Sequence, residues 1–327
     1  AYKAELVTRT RPVNRSGFPA FMELVYRDLE RDYDSEALRS EGLRIFTTLD
    51  VSMQNTLEAT LENSVKAVER TGAGKAPLEA AVVLTSATTG EVRALAGSRK
   101  NGYTGFNRAL HAVRPIGSLV KPAVYLAALE SPDFQLASVL ADEEVTITMQ
   151  DGQVWQPKNY ELTTDGPVYL YDALQRSLNL ATVNLGMKVG LDKVYSMLGR
   201  LGFERRIQPY PSLLLGAVDM SPLEVAQIYQ TLAANGFRSP LRAVEAVTTG
   251  QGEPLARYGI ATEQAADPAA VFLLEHAMQG VFDRGTARTV YNRVLPNLPL
   301  AGKTGTTNDL RDSWFAGYSG DLLAVAW

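Results

Sequence analysis

The chain has 327 residues, of which 46% are hydrophobic and 21% are charged, which is ordinary for a globular protein with room for two structural units. Its net charge of −4 argues against a protein that holds nucleic acid by bulk charge. There is no cysteine, and the two histidines, His111 and His276, are too few for a His-rich metal site. The sequence therefore predicts no disulfide, no metal site and no cofactor, and it does not favour a Ser-His-Asp triad.

The two ends of the chain do not look like natural ends. The first residues, Ala1-Tyr2-Lys3, contain no initiator methionine and open no signal peptide, and Leu322 to Trp327 has the pattern of a strand that simply stops. No run of about 18 apolar residues predicts a membrane span. We expect this chain to be a piece of a longer protein.

The first 76 residues have the character of a connector. A polar, turn-rich stretch around Arg9 to Gly17 precedes an amphipathic helix predicted from Phe18 to Tyr33. A strand is predicted from Leu43 to Thr48, and Asp50 is expected to cap a long helix that ends at Gly72.

From Ala80 onward the pattern indicates strands, then helices, then strands again. Ala81–Leu84 and Glu91–Ala96 form a predicted hairpin, residues 133–168 form an insertion of short strands, and a further hairpin turns at Gly250–Gly252. Helices are predicted to begin near Tyr169, Ala181, Leu191, Ser221 and Asp267. Three strands close the chain, over 300–306, 313–318 and 322–327. This order predicts an α+β fold, with a five-stranded antiparallel sheet completed by both chain ends and flanked by helices.

A serine and a lysine three residues apart are the first candidate catalytic residues. Ser118 is predicted to begin a helix, and Lys121 would then lie on the same helix face, with Pro122 in the first turn. Such a pair is a nucleophile beside a possible base. By itself the spacing is more typical of a capping serine and a solvated lysine.

Two later stretches favour the catalytic interpretation of Ser118 and Lys121. Ser177-Leu178-Asn179 alone is typical of a capped loop, and Lys303-Thr304-Gly305-Thr306 alone is typical of an edge strand. The three patterns S-x-x-K, S-x-N and K-T-G each occur once in the chain, in the order known for penicillin-binding proteins and class A β-lactamases.

The chain thus resembles the penicillin-binding proteins, and in particular the transpeptidase domain of the bifunctional class A proteins, type 1b group of Gram-negative bacteria. The resemblance runs from about residue 18 to the end. It is carried by the stretches Arg44–Asp50, Gly90–Ala94, Ile116–Ala123, Thr182–Met187, Ala301–Asn308 and Ser313–Gly317.

The resemblance implies a DD-transpeptidase that acts on peptidoglycan stem peptides ending in D-Ala-D-Ala and is blocked covalently by β-lactams. By motif position, Ser118 is the acylated nucleophile, Lys121 its base, Ser177 a proton relay, Asn179 a partner of Lys121 and of the substrate amide, and Lys303 a source of positive charge.

The same resemblance implies how substrate is held. Thr304 and Thr306 would receive the substrate carboxylate, and the backbone N–H groups of Ser118 and Thr306 would form the oxyanion hole. Gly305 has no side chain, so a peptide can lie against this strand as an added strand.

The physical chemistry requires a neutral lysine. Neutralising a lysine at pH 7 costs roughly 4.6 kcal/mol, and a second cation about 4 Å away supplies roughly 4 kcal/mol at an effective dielectric constant of 20. We therefore expect Lys303, helped by partial burial, to lower the pKa of Lys121.

The resemblance also implies an organisation in which residues 1–76 are the linker that follows a glycosyltransferase domain. Residues 77–327 would be the transpeptidase domain, truncated before a C-terminal helix that normally packs on the sheet beside Trp327. No glycosyltransferase activity is expected of this chain. Full-length family members contact the inner membrane and other cell-wall synthesis proteins, which implies a location on the periplasmic side of that membrane.

Two departures from the motifs leave alternatives open. Leu178 stands where the middle motif of β-lactamases has Asp, and no E-x-x-L-N pattern follows Ser177 to supply a water-activating glutamate. A β-lactamase or DD-carboxypeptidase would hydrolyse its acyl-enzyme quickly. A penicillin-sensing or scaffold domain would be acylated without crosslinking peptides.

Overall fold

The computed structural model describes residues 17–34, 38, 42–72, 77–149, 152–291, 298–307 and 311–327. The turn-rich stretch before Gly17, as well as Asp151 and Asn308, lies outside these residues. The α-helices, α1 to α10 in chain order, are Pro19–Asp32, Val51–Arg70, Arg108–His111, Lys121–Leu129, Leu170–Gln175, Asn179–Val189, Leu191–Arg200, Pro222–Ala233, Pro268–Asp283 and Arg288–Tyr291. Two 3₁₀ turns span Gly117–Val120 and Pro211–Leu215.

The strands, β1 to β16, include several two-residue ladders that join loops. In chain order they are Arg44–Thr47, Val82–Ser86, Val92–Ala96, Arg114–Pro115, Val139–Asp142, Ile147–Thr148, Val154–Trp155, Gly166–Tyr169, Asp219–Met220, Phe237–Arg238, Val244–Thr248, Pro254–Arg257, Glu263–Gln264, Ala301–Thr306, Ser313–Ser319 and Leu322–Ala326.

The central sheet has five antiparallel strands in the order β14-β15-β16-β2-β3. The last strand of the chain pairs with the early hairpin, with Val325 opposite Val83 and Ala326 opposite Val82. The predicted sheet, completed by both ends of the chain, is therefore confirmed. Its strand β14 lies at one edge and carries the Lys303-Thr304-Gly305 motif.

Alternate residues of the hairpin are buried on opposite faces of this sheet, as strand geometry requires. Val83 and Leu95 join the main core, in which α8 and α9 pack. Val82 and Ala94 join a smaller cluster with Leu57 of α2 on the other face. The sheet is thus a middle layer between helices.

Helix α2 also protects the open edge of the sheet. Gln54 is fully buried, and its side-chain amide donates to the carbonyl of Leu95 at 3.0 Å and accepts from the N–H of Leu95 at 2.8 Å. The helix begins as predicted at Asp50, whose carboxylate accepts from the N–H of Met53. Leu57 and Val65 of this helix are buried, whereas Val68, one turn further along, is 47% exposed.

The segment that precedes the first strand of the central sheet packs closely on the rest of the chain. Phe21 and Leu29 of α1 are fully buried in the main core. Strand β1 pairs with β11, and β11 pairs with β12, so the predicted hairpin around Gly250–Gly252 forms in a separate three-stranded sheet. The linker boundary at residue 76 remains a prediction.

The predicted insertion, residues 133–168, holds two small antiparallel ladders, β5 with β8 and β6 with β7, of which β8 continues to Tyr169. Strand β5 packs against α6, the helix that begins at Asn179. This contact places the insertion beside the S-x-N stretch.

Candidate active site

Ser118 lies in a 3₁₀ turn that continues directly into α4, so the predicted helix start is confirmed. In 3₁₀ geometry residues three apart are eclipsed, which directs Ser118 and Lys121 to the same side. Pro122 falls in the first turn of α4, where a missing N–H costs nothing. The Ser118 side chain is half-buried, whereas Lys121 is fully buried.

Glycine backbone brings the serine turn against the K-T-G strand. Gly117 has a positive φ of +53°, and a Cβ there would lie 2.5 Å from the carbonyl oxygen of Thr306. A Cβ on Gly305 would lie 2.8 Å from the carbonyl oxygen of Ile116. Ser118 and Gly305 are 187 residues apart in the sequence. The two motifs therefore meet with backbone packed directly against backbone.

Ser177 ends helix α5 in an unusual conformation. Its φ is +56°, in the left-handed region where glycine is the usual residue. Its N–H donates to the carbonyl of Leu174 and the next N–H, of Leu178, donates to that of Ala173, which is the pattern of a Schellman cap. A non-glycine residue held in this region costs free energy, and such strain is often found at functional sites.

Two lysines converge on the hydroxyl of Ser177. The Nζ of Lys303 donates to Ser177 Oγ at 2.9 Å, and the Nζ of Lys121 lies 3.2 Å from the same oxygen. Lys121 also donates to the carbonyl of Ser177 and to Oδ1 of Asn179, both at 2.7 Å. The structure thus joins the three motifs in one hydrogen-bonded cluster.

Both amines have lost their water. Burial lowers the pKa of Lys121 well below its usual range, the charge of Lys303 lowers it further, and Asp142 acts in the opposite direction. Burial also lowers the pKa of Lys303 to about 7. We expected the charge of Lys303 to be the main cause of the lowered pKa of Lys121 and burial to be partial. This expectation was wrong, because the burial of Lys121 is complete and lowers its pKa more than Lys303 does. A sequence pattern cannot show that a lysine is fully covered.

The K-T-G strand presents its remaining side chains towards the solvent side of the cluster. Thr306 is exposed and Thr304 is half-buried. The hydroxyls of Thr304 and Thr286 lie 2.7 Å apart. Thr286 precedes α10 and was not predicted as part of the site, and no motif in the sequence marks it.

Two further residues near the cluster were missed by sequence reasoning. Asn159 was noted only as part of the insertion, yet its Oδ1 accepts from the N–H groups of Asn179 and Leu180. Asp142, fully buried, accepts from the side chain of Asn159. A polar residue inside an otherwise irregular segment was the only signal, and it was too weak to single out either residue.

The described residues contain no group of His, Cys, Asp and Glu side chains suited to a metal ion. Within the same residues, no helix has the length and apolarity needed to cross a membrane.

Comparison with known proteins gives the same family from sequence. Residues 80–321 match the penicillin-binding protein transpeptidase domain. Penicillin-binding protein 1B of Vibrio cholerae is 43% identical over 94% of this chain and 40% of its own length. Penicillin-binding protein 1B of Escherichia coli is 40% identical over 94% of this chain and 37% of its own length.

Solved structures agree in fold. Penicillin-binding protein 1A from Haemophilus influenzae superposes with a TM-score of 0.84 at 20% identity, over 94% of this chain and 65% of that one. The PonA1 protein from Mycobacterium tuberculosis in complex with penicillin V superposes with a TM-score of 0.79 at 26% identity, over 95% of this chain and 84% of that one.

The chain spans about 40% of the length of the curated relatives described above. The match to the family covers most of the chain, and the fold agrees with it. The chain therefore belongs to the penicillin-binding protein transpeptidase domain family.

Proposed function

We propose that this chain is a peptidoglycan DD-transpeptidase whose nucleophile is Ser118. The observation that carries the proposal is that the buried amines of Lys121 and Lys303 both contact Ser177 Oγ. Lys121 lies one 3₁₀ turn after Ser118 in the chain. A desolvated amine with a lowered pKa is what a hydroxyl nucleophile needs as its base.

In the acylation step, Ser118 Oγ attacks the carbonyl carbon of the D-Ala-D-Ala peptide bond and gives its proton to the neutral amine of Lys121. A neutral amine has two N–H groups, which can donate to the Ser177 carbonyl and to Asn179 Oδ1, both at 2.7 Å, and its lone pair is then left to accept a proton. The proton passes by way of Ser177 to the leaving nitrogen as the C–N bond breaks. Free D-Ala departs, and an ester on Ser118 remains.

In the transfer step, the amine of a neighbouring stem peptide attacks the ester carbon. The new amide bond forms as the bond to Ser118 Oγ breaks, and the proton released by the amine returns to that oxygen. The crosslink is complete and the enzyme is restored.

Binding groups surround this centre. Thr304 and Thr306 receive the terminal carboxylate of the substrate, with Lys303 as positive charge, while Asn179 holds Lys121 and the substrate amide. The N–H groups of Ser118 and Thr306 serve as the oxyanion hole, where donors fixed before reaction avoid reorganisation. The peptide backbone lies along β14, which is an edge strand, while the missing side chain at Gly305 leaves room for the carbonyl of Ile116 and not for substrate.

β-Lactams are proposed to acylate Ser118 in place of substrate. The PonA1 structure, in complex with penicillin V and 26% identical to this chain, supports the assignment. The intact mass of the chain, taken before and after incubation with a penicillin, tests whether Ser118 is acylated. One adduct per chain is expected, mapping to Ser118, and none on Ser118→Ala. An adduct on another residue, or one that persists in Ser118→Ala, would contradict the assignment.

The arrangement of the longer protein is part of the proposal. Residues 1–76 serve as the linker after a glycosyltransferase domain and residues 77–327 as a transpeptidase domain that continues past Trp327. A location on the periplasmic side of the bacterial inner membrane, with other cell-wall synthesis proteins as partners, is the arrangement that the family resemblance implies. Detection of crosslinked peptide in an assay with full-length protein and stem-peptide substrate tests the activity.

A further inference from the structure

A buried chain of hydrogen bonds runs from the insertion to the amine of Lys121. The side-chain amide of Asn159 donates to the two carboxylate oxygens of Asp142 at 3.0 and 2.9 Å. Its Oδ1 accepts from the N–H of Asn179 at 2.8 Å. Asn179 in turn accepts from Lys121 at 2.7 Å. In this chain of hydrogen bonds Asn159 is therefore separated from the proposed base by one residue, and Asp142 by two.

Asn159 caps the first turn of helix α6, which no residue of the S-x-N stretch does. The N-cap position is Leu178, an apolar residue with no acceptor, and no side chain of the helix caps its first turn. Asn159 Oδ1 accepts from both Asn179 and Leu180 and so takes the place of the missing cap. The backbone position of Asn179 thus depends on a residue twenty positions earlier in the chain, and its side-chain amide donates to the carbonyl of the adjacent Lys158 at 2.8 Å.

Asp142 holds Asn159 in a fixed orientation. The carboxylate is fully buried and also accepts from the backbone N–H groups of Asp165, at 3.0 Å, and Ala181, at 3.2 Å. Its position beside the first turn of α6 suits a negative charge. Within the described part of the chain it forms no ion pair. A buried carboxylate held by N–H donors cannot turn towards water, so the amide it binds has one orientation.

We propose that Asn159, oriented by Asp142, is a positioning residue for acylation, which fixes Asn179 and through it the Nζ of Lys121. The inference rests on the proposed function. It assigns the support of the catalytic centre to strand β5, which ends at Asp142, and to the loop between β7 and β8, which holds Asn159. Asn159 itself does not touch the reacting atoms in this role.

The test measures acylation by a fluorescent penicillin over a range of concentrations, which separates the acylation rate constant from the dissociation constant of the noncovalent complex. Asn159→Ala is expected to lower the rate constant about 10–100-fold, since small misplacements of catalytic groups cost about this much. The dissociation constant should change less than about 3-fold. A merely structural loss would reduce the fraction of active protein and leave the rate constant unchanged.

The matched control is Asn184→Ala. Asn184 also joins α6 to the β5 region, by donating to the carbonyls of Ala141 and Glu143, but it has no bond to the S-x-N stretch. We expect this variant to keep the wild-type rate constant within about 2-fold. Equal rate constants for the Asn159 and Asn184 variants would overturn the proposal.

An exchanged pair covers the case in which Asn159→Ala does not fold. Asn159→Asp alone places two carboxylates against each other, whereas Asn159→Asp with Asp142→Asn restores a donor–acceptor pair and keeps an acceptor towards Asn179. The double variant is expected to acylate at least 10-fold faster than the single variant. Equal rates in the two would contradict the proposal.

The pH profile gives a readout that packing alone would not move. The charged groups that act on Lys121 in the described residues are Lys303 and Asp142, and Asp142 raises the pKa. In Asp142→Asn the acid limb of the acylation profile should therefore move to lower pH, and an unmoved limb would count against the proposal. If the wild-type chain is not acylated at all, the proposed function fails instead.

Discussion

At the scale of single residues, the site depends on amines that have been removed from water. Lys121 and Lys303 are each 0% exposed and share one hydroxyl partner. Two buried cations repel each other and each loses its hydration, so the protonated forms are disfavoured. The arrangement that supplies a base at neutral pH therefore also reduces the stability of the folded chain.

The stability cost of Lys303 can be measured directly with Lys303→Met. The folded pKa is about 7 and the ordinary value is 10.5, so between these pH values the unfolded chain binds a proton that the folded chain does not, and stability rises with pH. We expect Lys303→Met to raise the free energy of unfolding at pH 7 by about 1–4 kcal/mol. The difference should shrink by pH 10.

Urea unfolding at pH 7 and pH 10 measures this effect. Lys66→Met is the control, because Lys66 lies on an exposed helix face and its side chain is 50% exposed. A Lys303→Met chain less stable than wild type at both pH values would show that the buried amine stabilises the fold.

The same removal of charge is expected to slow acylation. Without Lys303 the pKa of Lys121 moves back towards its usual range, because one cause of its lowering is gone. Less of the amine is then neutral at pH 7, and the rate should recover as the pH rises. The acylation rate of Lys303→Met by a fluorescent penicillin, followed from pH 6 to pH 10, tests this. An acid limb at the wild-type pH would contradict it.

The fate of the adduct distinguishes a transpeptidase from a β-lactamase. No glutamate motif follows Ser177 in the sequence, and general base catalysis is worth about 10²–10⁴-fold. We expect the penicilloyl group on Ser118 to persist for minutes or longer. In a chase with excess unlabelled penicillin, clearance of a fluorescent label within seconds would favour a β-lactamase.

At the scale of elements, the serine turn is held between two segments of backbone. Gly216 ends the second 3₁₀ turn with φ +81°, and a Cβ there would overlap the carbonyl oxygen of Gly117. On its other side Gly117 approaches Thr306. The N–H of Gly117 also donates to the carbonyl of Gly216 at 3.2 Å. The position of Ser118 is thus set by close contact of three peptide segments.

Gly216→Ala should therefore displace the nucleophile. We expect the acylation rate to fall about 100-fold, as for a displacement of about 1 Å, and the fold to lose about 1–3 kcal/mol. Gly252→Ala is the matched control, because it has φ +95° but nothing within 4 Å of the added Cβ. Both variants share backbone strain, so comparable acylation rates in the two would refute the argument from close contact.

At the scale of the whole molecule, helix α1 and the residues around strand β1 belong to the same packed body as the helices that follow. Phe21 is fully buried in the main core, and Asp28 accepts from the N–H of Ala243 at 2.8 Å. The side chain of Thr48 donates to the carbonyl of Val92 at 2.6 Å, next to the central sheet. We infer that this segment unfolds together with the sheet.

Phe21→Ala tests that coupling. Its loss from a closed core is expected to cost about 3–5 kcal/mol and to lower the temperature of a single unfolding transition. Tyr26→Ala, on the same helix with its side chain 56% exposed, should leave the transition in place. Calorimetry that resolves two transitions, of which Phe21→Ala moves only the smaller, would contradict the inference.

Features set by neighbours along the chain were open to prediction from sequence. Helix α8 begins after Ser221 as predicted, and Ser221 and Glu224 form a capping box with both reciprocal bonds present. The early hairpin, the strand of Lys303 and the helix after Ser118 also lie where their patterns placed them. Each is decided by side-chain periodicity or by a cap within a few residues, which the sequence displays directly.

What only the tertiary structure decided is which distant groups meet and how completely they are covered. Complete burial of Lys121, the support of Asn179 by Asn159 and the separate sheet of β1, β11 and β12 all depend on contacts between remote segments. Burial and the choice of a hydrogen-bond partner are properties of the packed chain, because they follow from which surfaces lose water together. The sequence by itself determined the chemical groups of the site and their local elements, and packing determined the protonation and orientation that those groups adopt.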